Sequence, residues 1–123
     1  MFHIHIKTHF SAGHHLRDYP GNCEQPHGHN WIVKVTVQAT ELDHLGMGID
    51  FRTVKEAVNN AIGELDHKNL NDHPAFQDNN PSSENIALYL FHELKGDLLS
   101  ERYQLHSVEV GETENTGVIY FGG

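Results

Sequence analysis

The residues best equipped for chemistry lie in Cys23-Glu24-Gln25-Pro26-His27-Gly28-His29, where two imidazoles one residue apart follow a thiol. Neutral imidazoles are ligands for zinc and other transition metals rather than for calcium or magnesium. A zinc site that keeps a position open for substrate commonly takes three protein ligands, so His27 and His29 need a companion. The stretch Phe10-Ser11-Ala12-Gly13-His14-His15-Leu16 offers His14 or His15. A cation beside Cys23 would favour its thiolate, which leaves this residue two roles: a fourth zinc ligand, or a base working next to the metal. Asp66-His67 has the composition of a proton relay. Ser83-Glu84 is either an ordinary helix start or part of a binding pocket, and Glu112 is the remaining carboxylate candidate.

These residues can act together only if the chain brings them together. Phe2, Ile4, Ile6, Thr8 and Phe10 share one parity and His3, His5, Lys7 and His9 the other, the period-two pattern of a half-buried strand. Continued through Ala12, that parity places His14 on the apolar side and His15 on the opposite one, provided the backbone stays extended. A second strand reads from about His29 to Thr40, with Trp31, Val33, Val35, Val37 and Ala39 inward, and its parity extended backwards includes His29 and His27. If the two strands pair antiparallel, His14, His27 and His29 converge at one end of one face. The connection over 11–26 is long for a hairpin and contains Pro20-Gly21-Asn22, as a functional loop would.

Asp50 is placed to cap a helix with Phe51, Val54, Val58, Ala61 and Leu65 inward, ending near Asp66-His67. A polar break over 69–74 follows. Ser82 or Ser83 then caps a second helix with Ile86, Ala87, Leu90, Phe91, Leu94 and Leu98 inward. The C-terminal part reads as a hairpin: Val108 and Val110 alternate, Glu114-Asn115-Thr116-Gly117 turns, and Val118 to Phe121 return. Glu112 continues the apolar parity of Val108 and Val110, and a carboxylate there needs a partner, because an unpaired buried charge is costly. The order ββααββ predicts an α+β fold, a four-stranded antiparallel sheet with two helices on one face, in one domain over 1–123.

Composition narrows the classes. A formal charge of −9, from 8 basic and 17 acidic residues, argues against a nucleic-acid or membrane-surface binder. A single cysteine excludes an intrachain disulfide, and with an N-terminus that alternates polar and apolar instead of reading as a signal or a span, it fits a cytoplasmic protein. Twelve histidines are an excess for a chain of this size, so position must decide which of them work.

The set Phe10-x-Ala12-x-His14-x-Leu16, Cys23-x-x-x-His27-Gly28-His29, Ile49-Asp50-Phe51, Leu65-Asp66-His67-x-x-Leu70-Asn71, Asn80-Pro81-Ser82-Ser83-Glu84-Asn85 and Glu112-Thr113 resembles the 6-pyruvoyl tetrahydropterin synthase and 6-carboxytetrahydropterin synthase family. The resemblance implies a tunnelling fold whose sheets close into a barrel, with two trimers stacked as a homohexamer and sites at subunit interfaces. It implies Zn2+ held by His14, His27 and His29. Cys23 would face Asp66 and His67 of a neighbouring subunit as the proton-transfer group. Glu112 would anchor the pterin, with Ser83 and Glu84 lining its pocket.

The implied substrate is 7,8-dihydroneopterin triphosphate. Three residues between Cys23 and His27 are the spacing of bacterial-type members that form 6-carboxy-5,6,7,8-tetrahydropterin and acetaldehyde for 7-deazaguanine (queuosine) synthesis. Pyruvoyl-forming members have a longer spacing. Glu24, directly after Cys23, instead marks members that act like dihydroneopterin aldolase in folate synthesis. A metal- or pterin-binding protein without catalysis is the non-enzymatic alternative. The sequence does not select among Lys7, Arg17, Lys34, Arg52, Lys55, Lys68, Lys95 and Arg102 for contact with triphosphate.

Overall fold

The computed structural model describes residues 1–18 and 27–123, with His27 described by its main chain only. Cys23 and Glu24 lie outside the described residues.

Strand β1, Phe2–His14, keeps its period-two alternation from His3 onward, so Ile6, Phe10, Ala12 and His14 all turn inward, whereas Phe2, of the same parity, is 48% exposed at the strand start. Strand β2, His27–Ala39, pairs with it antiparallel without interruption, from Phe2 opposite Ala39 to His14 opposite His27. It therefore starts two residues before the expected His29, because β1 stays extended far enough to pair with it. Trp31, Val33, Val35, Val37 and Ala39 are fully buried.

Helix α1, Phe51–Gly63, begins at Asp50, whose carboxylate accepts from the Arg52 main-chain N–H. Its buried stripe is Val54, Ala57, Val58, Ala61 and Ile62. Leu65 is buried just beyond it, whereas Phe51, expected inward, stays 58% exposed at the helix start. Helix α2 spans Ser83–Leu94 and is capped by Ser82, whose side chain accepts from the Asn85 N–H. Ile86, Ala87, Leu90 and Leu94 face the core, and Leu98 is buried past the helix end. Phe91 is only partly buried, with its ring against Tyr120.

Among the described residues the sheet has five strands, not four. The polar break holds a two-residue strand β3, Lys68–Asn69, parallel to Ala12–Gly13 of β1. Single turns of 3-10 helix at Leu70–Asp72 and Pro74–Phe76 follow it, and Leu70 and Phe76 anchor them in the core. With β4, Tyr103–Thr113, and β5, Thr116–Tyr120, the sheet order is β3-β1-β2-β4-β5. The four long strands are antiparallel as expected. The alternation alone could not reveal β3, since two residues are too few to show a period.

Buried residues of both helices and of the inward strand faces form one apolar cluster. No helix among the described residues is long and apolar enough to cross a membrane.

Candidate metal centre

The register of β1 against β2 decides which histidines meet. Ala12 stands opposite His29 and Gly13 opposite Gly28, so His14 and His29 are diagonal neighbours on one face. Their ring centroids are 5.1 Å apart. The main chain of His27 stands opposite His14. His14 is 2% exposed, as its parity required.

Trp31, two residues beyond His29, walls both imidazoles. Its ring meets His14 edge-on at 4.7 Å and His29 at 5.4 Å. The indole N–H donates to the Ala12 carbonyl at 3.3 Å. The other side of His14 is fixed from α2's approach: its Nδ1 lies 2.8 Å from the Pro81 carbonyl oxygen. A carbonyl only accepts, so Nδ1 carries the proton and Nε2 is the atom turned to the centre.

Strand β4 completes the cluster. The pairing of β4 with β5 shifts register between Val110 and Thr113, and irregularities of this kind re-aim side chains. Glu112 lies in that interval, with Oε1 3.6 Å from His14 Nε2 and Oε2 3.3 Å from His29 Nε2. Ligand atoms of His14, His29 and Glu112 all lie within 4.8 Å of one another. Two imidazoles and a carboxylate are a donor set that suits zinc. The resemblance gives Glu112 to the pterin, and the structure adds its proximity to both histidines. The available signal was the demand for a partner that a carboxylate on the apolar parity creates.

The Asp66-His67 pair is built beside β1, against Ser11. The Ser11 N–H donates to Asp66 Oδ1 at 2.8 Å, and the other carboxylate oxygen lies 3.0 Å from His67 Nδ1. His67 adopts a left-handed backbone at φ 60, a strained conformation for a residue with a Cβ and one that clusters at functional sites. This turn leads directly into β3. His67, Lys68, His14 and His29 line one open cleft of about 690 Å³. Lys68 is the one lysine or arginine lining it among the described residues.

The Ser11 N–H, helped by the positive charge and hydrogen bond of His67, holds the Asp66 carboxyl below its ordinary value. A carboxyl lowered by folding adds stability above its unfolded pKa, and that stability is lost as pH falls through the lower folded value. Asp66→Asn is therefore expected to cost more stability at neutral pH than in acid, where the wild-type carboxyl gains its proton and the difference between the two proteins shrinks. Urea midpoints across that range check this, and a gap independent of pH would rule it out.

Ser82 rather than Ser83 is the helix cap. Ser83 is half-buried and Glu84 exposed. They follow Pro81, whose carbonyl holds His14 Nδ1.

The 6-pyruvoyl tetrahydropterin synthase family model matches residues 3–123. A 6-carboxy-5,6,7,8-tetrahydropterin synthase of Bacillus subtilis is 31% identical over 126 positions, covering 97% of this chain and 84% of that protein. The 6-pyruvoyl tetrahydrobiopterin synthase of Homo sapiens is 39% identical over 106, covering 83% and 72%. The solved Caenorhabditis elegans 6-pyruvoyl tetrahydropterin synthase superposes with a TM-score of 0.87 at 28% identity, over 99% of this chain and 96% of that one. With a match of this extent and a cluster built from residues that carried the resemblance, the chain belongs to the 6-pyruvoyl tetrahydropterin synthase family and is an enzyme of the tetrahydropterin-synthase type.

Proposed function

We propose that this chain is a cytoplasmic zinc-dependent lyase, active as a homohexamer, that converts 7,8-dihydroneopterin triphosphate and water to 6-carboxy-5,6,7,8-tetrahydropterin, acetaldehyde and triphosphate for 7-deazaguanine (queuosine) synthesis. The observation that carries the reading is the convergence of His14, His29 and Glu112 in a chain of this family. His14, His27 and His29 would hold the metal. When bound, zinc supplies Lewis-acid activation of the side-chain hydroxyls and so acidifies the carbons that bear them. Cys23 takes the proton from such a carbon as thiolate. Asp66, kept ionised by Ser11, orients His67, which passes protons as triphosphate leaves.

Glu112 accepts two parallel hydrogen bonds from the pterin ring N–H and its exocyclic amine, with Ser83 and Glu84 lining the same pocket. Glu112→Gln loses the charged acceptor while keeping the shape. It is expected to retain zinc and to lose about 100-fold in kcat/KM, since hydrogen bonds to charged groups contribute roughly 1.5–3 kcal/mol each. The contacts of Glu112 with both histidines favour a second role, as a metal ligand. Loss of zinc from the glutamine variant would select that role instead.

Lys68 is assigned to the triphosphate because of its place in the cleft. Lys68→Ala should raise KM about tenfold, the loss of one charge-assisted contact, with zinc content unchanged. An unaltered KM would remove Lys68 from this role.

Mass spectrometry of products from 7,8-dihydroneopterin triphosphate tests the whole reading. The carboxy product supports it. A pyruvoyl product, a hydroxymethyl product dependent on Glu24, or tight pterin binding without turnover would each replace it.

A further inference from the structure

Asn71 and Asn80 belong to the motifs of this chain but have no part in the chemistry so far. We propose that they are positioning residues that set the metal ligand His14 by taking the place of a missing strand beyond the end of β1. The proposal rests on the zinc reading above.

Past His14 the chain leaves the sheet, and its main-chain groups need other partners. At His15, the Asn71 carboxamide satisfies both: Oδ1 accepts from the His15 N–H at 2.9 Å and Nδ2 donates to the His15 carbonyl at 3.1 Å. Asn80 repeats the arrangement two residues on, accepting from the Arg17 N–H at 2.9 Å and donating to the Arg17 carbonyl at 3.1 Å. Alternate residues of a strand present their peptide groups to one side, and His15 and Arg17 keep that spacing up to the turn that begins at Arg17. Only a carboxamide offers the donor-acceptor pair that a neighbouring peptide would offer. Aspartate keeps the acceptor and leucine keeps neither.

Both asparagines are themselves tied down. Asn71 is 8% exposed, and its carbonyl accepts from Gln77 Nε2 at 2.9 Å. The Asn80 carbonyl accepts from Asn85 Nδ2 at 2.9 Å, which fixes it to the first turn of α2. Pro81 comes next, and its carbonyl holds His14 Nδ1. Clamping 15–17 against 71 and 80 thus holds the Pro81 carbonyl against His14 Nδ1 and keeps Nε2 facing His29 and Glu112. Partners of this kind behind a metal-bound histidine are worth 10- to 100-fold in metal affinity.

The test measures zinc affinity by chelator competition, and the visible spectrum of the Co2+-loaded protein, for the full chain and for Asn71→Leu, Asn80→Leu and Asn71→Asp. Expected are 10- to 100-fold weaker binding and an altered Co2+ spectrum in both leucine variants, with a smaller loss in the aspartate variant. Should one leucine variant fail to fold, the other and Asn71→Asp still decide. Parental affinity and spectrum in folded variants, even with lowered thermal stability, would overturn the proposal and leave the zinc reading standing. Absence of tight zinc binding by the parent would overturn both.

Discussion

Cys23→Ala is expected to keep the parent's zinc content and to lose at least about 100-fold in turnover, whereas His14→Ala is expected to lose both. A positioned base contributes roughly 10²- to 10⁴-fold, and alanine at position 23 would remove the proposed proton acceptor while keeping every histidine of the proposed ligand set. His14 is different. It is 2% exposed, its Nδ1 is taken by the Pro81 carbonyl, and its Nε2 faces Glu112. Its removal withdraws a donor and leaves a buried carbonyl without its partner, a further cost of about 1–3 kcal/mol. Zinc content by atomic absorption and single-turnover rates separate the two cases. Zinc lost with Cys23 would make the thiol a ligand, and full turnover without it would remove Cys23 from the reaction.

How much of this centre the sequence disclosed depended on whether period-two reasoning reached the residue. It reached His14 and His29, because β1 and β2 pair in unbroken register and parity then dictates the face. It selected His14 over His15 for the same reason: His15 instead gives its main chain to Asn71. Glu112 was legible as a carboxylate wanting a partner, but its partners were not, since the register shift between Val110 and Thr113 has no signature in the alternation. Asp66 and His67 were legible as a pair. Their attachment to Ser11 depends on a left-handed backbone at His67, which sequence patterns do not specify for histidine. Asn71 and Asn80 were visible only as parts of motifs, because side chains that mimic a strand leave no periodic trace.

Trp31→Ala should lower stability by about 3–5 kcal/mol, the usual cost of truncating a large buried aromatic, and should weaken zinc binding as well. Trp31 is fully buried, stacks on Phe10 at 6.2 Å and presents its ring to both His14 and His29. Against a typical total of 5–15 kcal/mol, that loss is a large fraction. The Ala12 carbonyl also loses its indole donor, directly opposite His29. Trp31→Phe separates the contributions: it keeps most of the apolar wall, forfeits the N–H bond, and should cost about 1–3 kcal/mol. Denaturant midpoints and zinc affinities for the two variants give the comparison. Trp31 is also the chain's one tryptophan, so its emission should change on zinc binding to the parent. If the alanine variant matched the parent in midpoint and affinity, the indole would be no part of what holds the two imidazoles in place.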